Sequence, residues 1–512
     1  MTTPYLSSDP IPVAPADSNT IDSLLGGTRW AGSTITYSFP FSNDPAYWSI
    51  DTWTGYGLPG GDGEPWESSV APLADSDKVN FEKALQQWAN VANVSFSPIT
   101  ETTSNVGDIR AAYTGDPDTG TLAWSYLPGY SVRSGDIWAN SQSLLNDQKW
   151  TPGSISFETI LHEIGHALGL KHPFLDPDDP AAAVLPTSLD AVIHTVMSYT
   201  VANLGGEKGS RFSFYPTTPM VLDIAAIQYL YGANNNYHTG NDTYTYDDIT
   251  LAHETIWDAG GIDTIHYTGT TSAIIDLNPA GASYIGQPVY VQSKGANLGL
   301  PVPNVWIAEG AIIENVIGGQ ADDFMFGNTS RNTLDGGAGI DTVMVESQLN
   351  QNTVTQTADG YAITFNSTPH NQDSLINIER LEFSDVKLAL DLGGHAGQVS
   401  KLLGAVFGPA TVANPQYVGV GLTVAAEGLS YEKLAEFAVD ARNLTSSDEI
   451  VTTLWNNLFG TMPSDSEKAP YVKQLDTGEL SIGTLTILAA DSGYNTGNIN
   501  LVGLTQTGIA FV

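Results

Sequence analysis

The most constraining feature of this chain is a nine-residue repeat confined to its middle. Gly318–Phe326 reads GGQADDFMF, Gly327–Asp335 reads GNTSRNTLD and Gly336–Met344 reads GGAGIDTVM. A chain that returns at so short a period builds one small unit repeatedly, and each unit must stack on its neighbours to bury an apolar face. The first and third units lie eighteen residues apart. The middle unit carries Asn328 and Asn332 where the others carry Gly and Asp.

The texture around the repeat divides the chain into four. Residues 1–20 are rich in Pro, Ser, Asp and Ala and read as a flexible leader, a candidate propeptide. Residues 21–232 mix strands (TITYSFP from Thr34, Asp108–Tyr113, GDIWAN at 135–140) with three helices expected over 78–92, 158–170 and 219–231. That is an α+β domain. Residues 233–392 are dense in Gly, Asn, Asp and Thr with short β-branched runs, and read as all-β. Residues 393–512 return to helical period, with Leu402, Leu403, Val406 and Phe407, then Leu434, Phe437, Ala438 and Ala441, then Ile450, Val451, Leu454, Trp455 and Leu458.

Charge and composition narrow the chemistry. The 512 residues include 18 Lys+Arg and 56 Asp+Glu, a net charge of −38, which sets the chain against nucleic acid and in favour of hard cations that take carboxylate oxygens. With 41% hydrophobic residues and 11 Trp, it is a folding chain and not an acidic polymer. Cysteine is absent, which removes disulfides, thiolate zinc sites and a cysteine nucleophile. No apolar run is long enough for a membrane span, and MTTPYLSSDPIPVAPADSNT has neither the basic region nor the apolar core of a Sec signal.

The chemistry concentrates in His162–His172, HEIGHALGLKH. His162 and His166 are four apart, so on a helix their rings leave one face about one turn apart and can share a divalent zinc ion at about 2.0–2.1 Å each. Glu163 can reach a metal-bound water without ligating the metal. Gly169 lets the chain turn sharply and return His172 as a third nitrogen ligand. Three protein ligands leave a position open for water, as catalytic zinc requires.

This extended motif resembles the metzincin metalloproteases, and the chain from about 21 to 392 resembles their serralysin branch. TVMSYT at 195–200 is similar to the Met-turn, which makes Met197 the floor beneath the metal and Tyr199 a donor to the transition state. GDIWAN resembles the edge strand along which substrate lies. DIAAIQYLYGAN at 223–234 resembles the family's link into a calcium-binding β-roll. The resemblance implies a metzincin α+β protease domain, a short parallel β-roll and a helical C-terminal domain, with one catalytic Zn²⁺ and several structural Ca²⁺.

GGAGIDTVM matches the RTX nonapeptide G-G-x-G-x-D-x-U-x at every defined position. In that architecture a six-residue turn offers carbonyls and one carboxylate to Ca²⁺, and three residues form a strand. The calcium residues implied are Gly336, Gly339 and Asp341, with Gly318 and Asp323 from the first unit, where Ala321 replaces the third glycine. WDAGGIDT at 257–264 resembles the segment that binds structural calcium at the start of the roll, implying Asp258, Gly260, Gly261 and Asp263, with Glu314 in GAIIENVIGG at the matching acidic position. Upstream, HTGNDT at 238–243 departs from the family's R-T-G-D-T, with His238 for Arg and Asn241 inserted. SLINIERLEFSDVKLALDL at 374–392 resembles the closing unit behind such repeats, and 458–492 resembles a helical domain of secreted RTX proteins.

A roll this short buries little core alone, so Ca²⁺ is expected to contribute to its folding free energy. A chain that folds on meeting calcium suits bacterial type I secretion to the extracellular medium, and the terminal GIAFV is similar to the ending of such signals. The expected function is a secreted zinc endopeptidase that acts as a monomer, with Glu163 as general base. Its implied partners are protein or peptide substrates, a proteinaceous inhibitor and the type I machinery, without nucleic acid or membrane span. The competing reading is a calcium-dependent surface-layer or adhesive protein with a vestigial or narrow processing site. The intact Glu163 separates the two, because a vestigial site has no need of the base.

Overall fold

The computed structural model describes residues 6–41, 47–60, 64–66, 69–115, 120–143, 150–175, 182–201, 210–292, 299–366 and 372–512. The chain divides into two compact units, one made of residues 1–265 with 276–313 and the other of 266–275 with 314–512. The divisions expected at 232/233 and 392/393 do not coincide with these units. Strand pairing explains both differences. Val289–Gln292 pairs antiparallel with Arg211–Phe212 and Leu300–Val302, which ties part of the expected roll to the first unit. Ile509–Phe511 pairs antiparallel with Lys387–Ala389, which ties the helical segment to the closing strands of the second.

In the first unit, a five-stranded sheet has the order Ser95–Pro98, Thr34–Ser38, Ile109–Thr114, Asp136–Asn140, Ala123–Ser125. The first four are parallel, and Ala123–Ser125 runs antiparallel on the outside. GDIWAN is therefore an interior strand and every residue of Asp136–Asn140 is buried; the edge belongs to Ala123–Ser125. The helix Asp75–Val91 buries Phe81, Ala84, Leu85, Trp88 and Val91, the apolar stripe that its spacing predicts. Its Trp88 indole donates to the Leu161 carbonyl at 3.2 Å and so reaches the second helix, Ile155–Leu168.

That second helix is buried almost throughout. Ser154 caps its start by accepting from the Phe157 N–H at 3.1 Å. Its end leaves carbonyls without intrahelical donors. Trp30 Nε1 donates to Ala167 O at 2.9 Å and Tyr231 Oη to Leu168 O at 2.8 Å, so two of them are met by side chains from elsewhere in the unit. The described part of the leader, from residue 6 onward, is docked instead of flexible. Pro10–Pro12 pairs antiparallel with Thr28–Trp30, and the Ser8 N–H and hydroxyl donate to the Asp108 carboxylate at 2.7 and 2.9 Å.

In the second unit the nine-residue period becomes geometry. Asn315–Ile317 pairs parallel with Thr333–Asp335, and Phe324–Phe326 pairs parallel with Thr342–Val345, each partner eighteen residues on. Successive units thus feed alternate sheets. The central residue of each strand, Val316, Met325, Leu334 and Val343, is buried between them. Gln372–Ile376 and Arg380–Phe383 extend the two sheets in parallel. Beyond these lie the helices His395–Leu402, Pro415–Ala426, Tyr431–Ala441, Ser447–Phe459, Asp465–Asp476 and Ile482–Ala490, packed around Val399, Val406, Leu422, Leu434, Leu454 and Leu485. No described helix is long and apolar enough to cross a membrane.

Candidate metal centres

His162 and His166 lie on one face of the Ile155–Leu168 helix. Gly169 ends it at φ +113°, a left-handed conformation in which an added Cβ would meet Thr28 O at 2.3 Å, so only glycine makes this bend. The bend returns His172, whose Nε2 stands 3.1 Å from Nε2 of both His162 and His166. Nitrogens bound to one tetrahedral zinc at about 2.05 Å stand about 3.3 Å apart, close to this spacing.

The outer ring nitrogens fix the tautomers. His162 Nδ1 donates to Val196 O and His166 Nδ1 to Leu170 O, both at 2.7 Å. Each of these rings therefore turns an Nε2 lone pair inward. One proton on His172 Nε2 could serve only one of the two contacts, so the three nitrogens fit a shared cation better than a hydrogen-bond network. Burial, with His172 nearby, pushes His162 down to about 3 despite the Val196 carbonyl. Burial, with the two neighbouring rings, also holds His166 well below its ordinary range. His162 and His166 are therefore neutral imidazoles, as metal ligands must be.

Glu163 is buried beside the triad, and burial pushes its carboxyl up to about 7. Ser125 Oγ lies 2.7 Å from Glu163 Oε2 and 3.0 Å from the Glu163 carbonyl, and its proton can go to either. Ser125 sits on the true edge strand and belongs to no motif, so sequence reasoning missed it. Met197 is fully buried in the turn beneath the triad. The turn is held by Asp223, which accepts from the N–H groups of Val196 and Met220 at 2.8 Å each. Asp223 opens the DIAAIQYLYGAN segment, whose resemblance marked a link and not this anchoring role. Tyr199 is 69% exposed and stacks on His162 at 5.6 Å between ring centroids, with His172 at 4.6 Å. Desolvation, with Glu163 and Glu158 near, pushes it up to about 12, so it remains a donor.

A second cluster joins His238, Asp242 and Asp258, whose ligating atoms lie within 4.8 Å of one another. Asp258 is buried and accepts from Tyr244 Oη at 2.7 Å and the Gly260 N–H at 2.8 Å, while Asp263 accepts from the Asp242 N–H at 2.7 Å. Gly261 completes this turn, in which Ile262 N–H donates to Asn241 at 3.0 Å. His238 and Asp242 fall in the segment whose departure from the family pattern left its ligands open. Glu314, expected with this group, falls in the second unit, where its carbonyl accepts from the Thr333 N–H at 3.1 Å.

The third cluster runs along the repeat. Asp323 accepts from the N–H groups of Ala273 and Gly319 at 2.7 Å each, and donates its own N–H to Asp341 Oδ1 at 2.8 Å. Asp341 Oδ2 is buried with no hydrogen-bond partner. Burial, with Asp323, Glu379 and Asp322 around it, pushes Asp341 up to about 7 against the opposing Asp323 N–H bond. Asp322 and Glu379 were not singled out from the sequence; Asp322 accepts from Ile340 N–H and Glu379 from Asp341 N–H, at 2.8 and 2.9 Å. Gly318 and Gly336 stack so closely that a Cβ on Gly318 would meet Gly336 O at 2.3 Å, and Gly339 continues the turn at φ +143°. An orphaned buried carboxylate oxygen among acidic groups fits a hard cation such as Ca²⁺. In the middle unit, Asn332 Nδ2 donates to Asn328 Oδ1 at 2.9 Å, so an amide clasp stands where a carboxylate would be.

Comparison with known proteins agrees with this geometry. The Matrixin family (peptidase M10) matches residues 69–184, and the family described as peptidase M10 serralysin C terminal matches 222–362. Relatives include serralysin of Photorhabdus laumondii subsp. laumondii, 34% identical over 297 residues, covering 53% of this chain and 58% of the relative. Serralysin C of Dickeya chrysanthemi is 38% identical over 265 residues (47% and 51%), and serralysin of Proteus mirabilis 31% over 333 residues (59% and 60%). The chain spans little more than half the length of the curated relatives it matches. With the histidine triad, the helix that carries it and two matched domains in family order, the chain belongs to the serralysin family.

Proposed function

We propose that this chain is a zinc-dependent endopeptidase whose roll binds structural calcium. The observation that carries the reading is the convergence of three Nε2 atoms, two with tautomers set by carbonyls, beside the buried carboxyl of Glu163. Zinc held by His162, His166 and His172 would acidify a bound water and polarise a carbonyl. Glu163 takes the water proton and returns it to the leaving amine, a role suited to a carboxyl raised towards neutrality. Ser125 steadies that carboxyl. Tyr199 carries its hydroxyl at the mouth of the site and donates to the oxyanion. A substrate strand has an open edge to pair with at Ala123–Ser125.

Calcium belongs, on this reading, at Asp323 and Asp341 with the stacked turns of Gly318, Gly336 and Gly339, and at Asp258 and Asp263 with Gly260 and Gly261. Its charge would offset carboxylates that burial disfavours, which supports folding in calcium-rich surroundings outside the cell and export by a type I route. Casein digestion with and without o-phenanthroline tests the endopeptidase reading. The chelator should abolish cleavage and added zinc restore it; cleavage that persists in metal-free protein overturns it.

A further inference from the structure

The three histidines are not placed by the same means. His162 and His166 take their positions from the Ile155–Leu168 helix, and the carbonyls of Val196 and Leu170 orient their rings. His172 lies past the Gly169 bend, outside the helix, so the helix alone does not place it. What holds residues 169–173 decides whether the third nitrogen is ready for a metal or must be ordered by it, at an entropic cost.

Two ties hold this stretch. The first is backbone: the Gly26 N–H donates to Gly169 O and the Lys171 N–H to Leu24 O, both at 2.8 Å, so Leu25 and Leu170 form an antiparallel bridge. The second is the half-buried Lys171 side chain, whose ammonium has three N–H donors and no acceptor. Three carbonyls lie within its reach, Ser23 O at 2.7 Å, Ala183 O at 2.8 Å and His172 O at 3.3 Å. One belongs to the N-terminal segment, one to the loop that follows the triad and one to the metal-facing histidine itself. These segments are fastened in turn, because Asn19 Nδ2 donates to Val184 O at 3.2 Å and the Leu185 N–H to Pro173 O at 2.8 Å. Charge-assisted hydrogen bonds are stronger than neutral ones, so a single ammonium can join three lengths of chain. Next to Lys171, Leu170 offers the carbonyl that accepts from His166 Nδ1, so a shift here would disturb two ligands.

We propose that Lys171 is a positioning residue for the zinc site. Its ammonium ties the N-terminal segment and the following loop to the backbone of His172, and so holds the third ligand in register with the other two. This rests on the zinc endopeptidase reading and deepens it. It also brings Ser23, 148 residues away in sequence, into the support of the site.

Metal affinity and ligand geometry, read on the full-length, calcium-saturated chain, test it without reference to cleavage. Lys171→Met keeps the stem and removes the ammonium. Well below its melting temperature it should bind zinc roughly 10–100-fold more weakly than the unaltered chain, the usual cost of losing a group that supports a metal ligand, measured by competition with a chromophoric chelator. Loaded with Co²⁺ instead, it should show shifted and weaker visible bands, because a displaced imidazole changes the ligand geometry. A purely structural lysine would lower the melting temperature and leave both readings as they are. Rescue gives a further test. The chain has no cysteine, so Lys171→Cys can be alkylated at one place with 2-bromoethylamine while denatured, which restores an ammonium at a similar reach. After refolding in parallel with the unaltered chain, the alkylated protein should regain most of the zinc affinity and the unalkylated protein should not. Equal Kd values and Co²⁺ spectra in Lys171→Met and the unaltered chain, or no recovery on alkylation, overturn the proposal and leave the zinc reading standing. If Lys171→Met does not fold, Lys171→Gln takes its place; if neither folds, the lysine serves the fold at large and the proposal fails. An unaltered chain that takes up neither metal overturns the zinc reading itself, and the proposal with it.

Discussion

Gly165 and Met197 touch across the floor of the histidine site: a Cβ added to Gly165 would stand 2.6 Å from the Met197 sulfur and 3.3 Å from the Trp88 ring. Both neighbours are fully buried, so neither has room to retreat. The glycine between His162 and His166 thus lets the turn press directly against the helix. Gly165→Ala would gain up to about 1 kcal/mol of helix propensity. Overpacking costs about 1–3 kcal/mol. The expected net is a loss of stability of about 1 kcal/mol, with weaker zinc retention because Val196, next to Met197, orients His162. Thermal unfolding and metal content after dialysis check this, and an unchanged melting temperature with unchanged zinc would refute it.

Glu163→Gln keeps the shape of the side chain and removes its basicity. We expect zinc content to be unchanged and kcat/KM to fall by roughly 10²–10⁴, the range of general-base catalysis. Ser125→Ala should be milder, at about tenfold or less, because the base stays and loses one bond that steadies it. The order of the two variants matters more than either value. A Ser125→Ala defect as deep as that of Glu163→Gln would mean that Ser125 does more than steady the base.

The triad was legible because its spacing is local: one turn between His162 and His166, then a glycine bend to His172. The roll was legible because its period is local too, and the registers Asn315↔Thr333 and Phe324↔Thr342 restate the eighteen-residue offset. What escaped depends on long-range pairing. Nothing near GDIWAN shows that Ala123–Ser125 will lie outside it, and Ser125 meets Glu163 only once that strand is placed. Val196 falls in the Met-turn and Asp223 in the segment read as a link, and nothing in either marks that the two will pair. The leader looked flexible by composition, yet its Ser8 bonds to an aspartate 100 residues away.

Asp373 makes the stability of the second unit depend on pH. It is buried on the strand Gln372–Ile376 and accepts from the Asn332 N–H at 2.8 Å. Desolvation pushes it up to about 7, against the opposing Asn332 bond and the charge of Arg331. A carboxyl raised on folding adds stability that is full below about pH 4 and is lost as pH rises through about 7. In calcium-saturated protein, unfolding of this unit should therefore come at lower temperature at pH 8 than at pH 5. Asp373→Asn keeps an acceptor for Asn332 and should be more stable than the unaltered protein at pH 8, by about 1–3 kcal/mol. Denaturation at both pH values checks it, and an Asp373→Asn protein less stable at pH 8 would contradict it.

The amide clasp between Asn328 and Asn332 is the place where the repeat departs from its own rule. Converting the unit back, with Asn328→Gly and Asn332→Asp together, restores the residues that surround Asp323 and Asp341. Without calcium the double variant should be less stable, because the new carboxylate faces Asp373, whose Oδ1 already accepts from the Asn332 N–H. With millimolar calcium it should recover, and it should bind at least one more calcium ion than the unaltered chain, since two carboxylates would then share a turn-lined site. Calorimetric titration and the calcium dependence of the melting temperature measure both effects. A double variant destabilised equally with and without calcium would show that residue identity at these two positions is insufficient to make the site, and that the backbone around Asn332 has diverged from the turn at Asp341.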